Sequence, residues 1–164
     1  MMDFNFKPVG IIHTPYENKE GIPIQGGLHQ DSKGTVEVFG EYSQGLLSLD
    51  GFSHIILLYV FHKSDGYTLR QKPFLDDVEH GVFSIRSPRR PNPIGLTIVR
   101  LDRVDDNLLH VSGVDMMDGT PLLDIKPYVP DFDSNEKVRI GWLDGKIKGK
   151  HLSDGRFKNA EVKQ

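Results

Sequence analysis

Apolar residues along this chain alternate with polar ones more often than they recur every three or four positions, which is the period of strands rather than helices. Residues 9–14 (VGIIHT), 34–39 (GTVEVF), 54–61 (HIILLYVF), 81–85 (GVFSI) and 96–104 (LTIVRLDRV) are β-branched or aromatic runs bounded by Gly, Pro, Asp or Asn. Each predicts a strand. Between residues 96 and 129, Asp106-Asn107 and Asp118-Gly119 separate three alternating segments, the pattern of an antiparallel meander. Only residues 42–49 (YSQGLLSL) carry helical spacing, and Gly45 weakens it. The prediction is a mainly β fold, an antiparallel sheet curled into a β-barrel with long loops.

Composition agrees. The 164 residues include 17 Gly and 10 Pro, an excess that suits many turns and short strands. Cys is absent, which excludes disulfides, thiolate metal sites and cysteine nucleophiles. The longest apolar run covers residues 55–61, far short of the roughly 20 that cross a bilayer. An acid and a proline near the N-terminus replace the basic and apolar stretches of a secretory signal, so no membrane and a cytoplasmic location are expected.

Charge divides the chain. Residues 1–136 hold 12 Lys and Arg against 20 Asp and Glu, whereas residues 137–164 hold 8 against 3. The second stretch is read as a basic C-terminal extension, either a solvated tail or an arm that approaches nucleic acid.

Several chemistries lack their motifs. No Gly-x-Gly-x-x-Gly, Walker loop or Gly-x-Ser-x-Gly elbow occurs, so a nucleotide-like cofactor would need an unconventional site. The seven histidines show no His-Glu-x-x-His spacing and no close pair, and no metal site is expected.

Three segments carry candidate chemistry. In residues 84–95 (SIRSPRRPNPIG), Arg86, Arg89, Arg90 and Asn92 sit among three prolines that stiffen the loop before any ligand arrives. Arginines so held present planar donor forks to a phosphate or carboxylate, or else pair with the acidic body. Residues 114–133 bring Asp115, Asp118, Asp124, Lys126 and Tyr128, although Asp118-Gly119 by itself reads as a hairpin turn. Residues 21–27 (GIPIQGG) form a glycine-rich loop that lets backbone approach a ligand closely.

VGIIHTPY, FSHIILLYVFHKS, GVFSIRSPRRPNPIGLT and DGTPLLDIKPYVPDFD, in that order, resemble the TsaA-like (TrmO) family over roughly residues 7–135. The resemblance implies a β-barrel S-adenosylmethionine-dependent tRNA methyltransferase domain over residues 1–136, homodimeric, with the cofactor near the subunit interface. The implied reaction methylates N6 of N6-threonylcarbamoyladenosine beside the anticodon. By motif, the expected cofactor contacts are Gln25, Gly26, Gly27, His62, Lys63, Arg86, Leu96, Gly113, Val114 and Asp115. Arg89, Arg90, Asn92, Lys126 and Tyr128 become expected tRNA contacts, and Asp118 and Asp124 candidates for proton acceptance. One departure is that Pro23-Ile24-Gln25 stands where members often carry Pro-Arg-Gln. The alternatives are an RNA-binding module without catalysis, or a methyltransferase acting on another RNA or a small molecule.

Overall fold

A computed structural model describes residues 2–147 and residue 152, so most of the basic extension, residues 148–151 and 153–164, lies outside the described residues. Strands β1 (Gly10–His13), β2 (Lys33–Val38), β3 (His54–Val60), β6 (Ile94–Asp105), β7 (Leu108–Ser112) and β8 (Thr120–Pro127) close into one barrel. Two-residue strands β4 (Arg70–Gln71) and β5 (His80–Gly81) pair outside it. Around the barrel the order is β1-β2-β7-β6-β3-β8, with β8 returning to β1 and every pair antiparallel. Among the described residues no helix is long and apolar enough to cross a membrane.

The alternation reads directly onto the wall. Along β3, Ile55, Leu57 and Tyr59 point inward, and along β6 Gly95, Thr97, Val99 and Leu101 do the same. With Ile12, Val36, Leu109 and Leu122, all fully buried, they fill the lumen. Each Val, Leu or Ile side chain among them contributes about 1.5–3 kcal/mol when taken from water.

Three sequence expectations are corrected by the fold. The stretch 81–85 is a short 3-10 turn, Val82–Ser84, because Ile85 turns back to bond Val82 rather than entering a ladder. The stretch 42–49 is likewise 3-10, Gly40–Leu46, with no buried face to stabilise an α-helix. The meander holds only for the β6–β7 hairpin, whose turn residue Asp106 adopts a left-handed φ of 56°. After β7 the chain crosses the barrel end, and β8 pairs with β1 and β3 instead. Asp118-Gly119 ends the loop from β7 to β8, but the two strands do not pair, so it is not a hairpin turn between them.

A register shift in the β3–β8 pairing opposite Leu58 and Tyr59 leaves Leu123 unmatched. It keeps Leu122 and Ile125 packed on the core and turns Asp124 and Lys126 outward.

Gly95 faces Tyr59 across the β3–β6 pair, and a Cβ there would lie 2.2 Å from the Tyr59 ring. Gly95→Ala is therefore expected to lower unfolding free energy in denaturant titration by about 1–3 kcal/mol. Gly81→Ala, which meets open space, is expected to stay within about 0.5 kcal/mol of the parent.

Candidate active site at one barrel rim

Antiparallel order sends the connections that leave β1, β3 and β7 to the same rim. These are residues 14–32, 61–93 and 113–119, and they contain all three segments singled out for chemistry, apart from Ile94 and Gly95, which begin β6, and residues 120–133, which form β8 and the turn after it. Two adjoining cavities open among them. The first, about 390 Å³, is lined by His62, Lys63, Arg89, Arg90 and Met117 among others. The second, about 590 Å³, is lined by Gly26, Gly27, Phe83, Thr97 and Trp142 among others. Gln25, Arg86, Leu96 and Asp115 border both.

Asp115 is the most constrained of these. Its Oδ1 accepts from Thr97 Oγ1 at 2.5 Å and Tyr59 Oη at 3.3 Å, and its Oδ2 from the Gly26 amide at 2.8 Å. The Gly26 amide reaches it only because Gly26 has no side chain: a Cβ there would sit 1.8 Å from the Gly113 carbonyl oxygen. Gly113 itself has a φ of 94°, tolerated without a Cβ, and with Val114 it is tied to the Ser32 carbonyl. Burial pushes the Asp115 pKa up to about 6, outweighing the three hydrogen bonds and the Arg86 charge, which all favour the carboxylate. Burial and the carboxylate charge in turn hold the Tyr59 phenol protonated.

The arginine-proline loop is stapled to the protein. Buried Ser87 donates to the side chain of buried Gln71 at 2.5 Å, and Gln71 donates to the Arg89 carbonyl at 2.6 Å. Ser64 bonds the Pro88 carbonyl, and Arg90 spends its guanidinium on the carbonyls of Ile85 and Ser87. Arg86 donates to Gln25 Oε1 at 2.7 Å, a bridge along the line where the cavities meet. His62 stays neutral more readily than an exposed histidine, because burial and then Lys63 lower its pKa.

Of the residues expected in the site, Gln25, Gly26, Gly27, His62, Lys63, Arg86, Arg89, Arg90, Leu96 and Asp115 gather around these cavities. Gly113 and Val114 stand behind them as the backbone support of Asp115. Asp118 is exposed nearby, accepting from the Thr14 amide at 2.9 Å with His13 at 3.8 Å. Asn92 is exposed at the loop tip. Asp124 and Lys126 pair at 2.8 Å on the outer wall, and Tyr128 meets His54 edge-on, so these three line neither cavity.

Sequence reasoning missed Tyr59, Thr97, Gln71 and Trp142. A threonine on the inward phase of β6 was the available signal for Thr97. Trp142 stacks on His80 with ring centroids 4.4 Å apart, and its indole donates to the Ser84 carbonyl at 2.8 Å. Lys146 binds Asp76, whose carboxyl is held well below the usual range by Lys146 and then His80. Leu152 forms a bridge with Pro23. Part of the stretch read as a basic arm therefore forms a wall of the second cavity.

A closed antiparallel barrel with a composite site built from the loops of one rim defines a ligand-binding class distinct from nucleotide-binding α/β folds. Residues 11–134 match the family described as tRNA-methyltransferase O N-terminal domain, and the chain belongs to that family. It is 50% identical over 154 residues to a probable S-adenosyl-L-methionine-binding protein of Pyrococcus abyssi, covering 93% of this chain and 84% of that protein. It is 38% identical over 144 residues to the tRNA (adenine(37)-N6)-methyltransferase of Escherichia coli K12, covering 82% of this chain and 61% of the enzyme. A crystal structure of TrmO from Pseudomonas aeruginosa superposes with a TM-score of 0.73 at 36% identity, over 86% of this chain and 63% of that one. The chain thus spans less than two thirds of these last two proteins.

The raised Asp115 pKa has a thermodynamic consequence. Between about pH 4, near the unfolded-state value, and about pH 6, the folded protein binds more protons at this group, so its contribution to stability is lost as pH rises. The stability of the parent relative to Asp115→Asn, taken from denaturant titrations across pH, is expected to fall through this window and level above it. A difference that is flat from pH 4 to 7 would show an ordinary carboxylate.

Proposed function

We propose that this chain is an S-adenosylmethionine-dependent tRNA methyltransferase that methylates N6 of N6-threonylcarbamoyladenosine at position 37. The observation that carries the reading is the place of Asp115 on the border of two adjoining cavities, so that ligands in the two meet at its carboxylate. Membership of the family and the names of the relatives in Pyrococcus abyssi and Escherichia coli support it.

The residues fit the cofactor chemically. Bound S-adenosylmethionine supplies an electrophilic methyl group on a cationic sulfur. Gln25, Gly26, Gly27, His62, Lys63, Arg86, Leu96 and Asp115 would hold it, with Gly113 and Val114 behind them. A partly buried carboxylate favours that cation, and donors such as Arg86 and Lys63 suit its amino-acid end. Positioning supplies much of the rate in such a transfer, since no covalent enzyme intermediate is required.

The attacking nitrogen is urea-like and a weak nucleophile, and its proton must leave as the N–C bond forms. Asp115, with a pKa near neutrality and access to both cavities, is the carboxylate best placed to accept it. Asp118 and Asp124 line neither cavity. Asp118 instead orders the rim through Thr14, and Asp124 neutralises Lys126.

Arg89, Arg90, Asn92, Lys126 and Tyr128 are proposed to lie along the tRNA side, joined by the basic extension. Ile94, Leu96 and Ile98 form a partly exposed apolar stripe on β6, and Leu96 and Ile98 also border the second cavity. Two copies pairing across this stripe would place the cofactor near the subunit interface. A tRNA substrate puts the reaction in the cytoplasm.

Calorimetric titration tests the cofactor, and methyl transfer to bulk tRNA with and without its threonylcarbamoyl groups tests the substrate. S-adenosylmethionine is expected to bind the parent and to bind folded Arg86→Ala at least ~10-fold more weakly. Transfer is expected only to tRNA carrying the threonylcarbamoyl group. Asp115→Asn is expected to slow turnover ~10²- to 10⁴-fold. Absence of cofactor binding, even with tRNA present, would favour the RNA-binding module.

A further inference from the structure

Arg89 stands apart from its neighbours in the same loop. Arg86 is engaged with Gln25 and Arg90 with two main-chain carbonyls. The Arg89 guanidinium makes no hydrogen bond and no ion pair among the described residues, and its Nε is buried without a partner. Its main chain, by contrast, is clamped on both sides. The Arg89 amide donates to Ser87 Oγ at 3.2 Å, and its carbonyl accepts from Gln71. A charged donor buried without a partner is a recurrent cost to the folded state, and a rigid main chain leaves it little freedom to escape.

The side chain lines the first cavity, whose charged lining is mostly cationic: Lys19, Lys63, Arg86, Arg89 and Arg90 against Asp65 and Asp115. Such a cavity selects an anionic group. The Arg89 Nε is closed off from solvent, so the terminal nitrogens are the donors left to a ligand in the cavity, and together they match a two-oxygen acceptor that enters it. A terminal carboxylate meets that requirement. The phosphodiester of an RNA backbone, flanked by two sugars, meets the protein at its solvent edge.

We propose that Arg89 is a carboxylate-binding residue that captures the α-carboxylate of an amino-acid group inside the first cavity. This rests on the methyltransferase reading, in which both reactants end in such a group: the methionine moiety of the cofactor and the threonine moiety of the modified base. The two sources share one chemistry, and the test separates them.

The parent, Arg89→Met and Arg89→Lys are titrated calorimetrically with S-adenosylmethionine and with its decarboxylated analogue. Their kcat/KM is then measured on tRNA bearing threonylcarbamoyladenosine and on the same tRNA with the threonine carboxylate converted to an amide. Circular dichroism and thermal melting report whether each variant is folded. If the cofactor carboxylate is the ligand, Arg89→Met weakens S-adenosylmethionine binding roughly 10- to 100-fold and binding of the analogue less than about threefold. If the substrate carboxylate is the ligand, cofactor binding stays within about threefold. In that case kcat/KM on the natural tRNA falls roughly 10- to 100-fold, and on the amide, already slow with the parent, hardly at all. Arg89→Lys, which keeps the charge and loses the fork, falls between parent and Arg89→Met in whichever arm responds.

Equal losses with and without the carboxylate, or no loss in either arm, overturn the proposal. So does a parent that fails to discriminate against both carboxylate-free ligands, an arm that needs no folded variant. A parent that neither binds S-adenosylmethionine nor methylates any tRNA overturns the methyltransferase reading itself. A parent active on tRNA with an indifferent Arg89 overturns only the role assigned to Arg89.

Discussion

The whole rim depends on keeping one carboxylate partly out of water. Asp115 sits on the loop between β7 and β8, where burial alone would drive it to the neutral acid. Thr97 and Tyr59 supply hydroxyls from the inward faces of two neighbouring strands, and the Gly26 amide comes from a third direction. That amide reaches the carboxylate only through the backbone contact of Gly26 with Gly113, which leaves no room for a Cβ. The barrel therefore fixes a polar group at its mouth through residues that also complete its core. Tyr59 shows this most directly, with its ring packed over Gly95 and Phe61 and its hydroxyl in the site.

Around that point the loops are pre-organised rather than free. Gln71 and Ser87, both buried, tie the arginine-proline loop to the β4–β5 hairpin. Trp142 and Lys146 tie the segment after the barrel to the same hairpin. Cations on such a scaffold meet an anionic ligand with little ordering cost, which is the physical advantage of three prolines and a buried glutamine over a flexible basic loop. The outer wall is different in kind. Asp102 there is held at a pKa of about 2, where hydrogen bonds from Ser112, Arg100 and Lys33 overcome its burial, and the group is a strut among strands rather than a reactant.

Much of the barrel was legible because period-two alternation is a local property. Residues 54–60 and 94–105 carry it without interruption, and each became a strand with the expected face inward. Where local signals misled, a longer-range contact decided. Residues 81–85 have strand-like composition, yet Val82 is drawn to the Leu69 carbonyl and the segment curls into a turn. The alternation of β8 is locally regular, but a bulge against β3 reverses its phase after Leu122. Asp124 and Lys126 thereby reach the outer wall instead of the site. Gln71 and Trp142 gave no motif, since each acts through partners 16 to 62 residues away, at Ser87, Arg89, His80 and Ser84.

By itself the sequence determined the class of fold, the stiffness of the arginine-proline loop and the family, because these rest on alternation, proline geometry and residue order. Only the tertiary structure decided which of the charged residues share a cavity. It joined Asp115 to Thr97 and Tyr59, used Arg90 within its own loop and left Arg89 without a partner. The reason is physical: burial and hydrogen-bond partnership arise from strands and loops far apart in the chain, and two adjacent arginines differ only in what the fold brings to each.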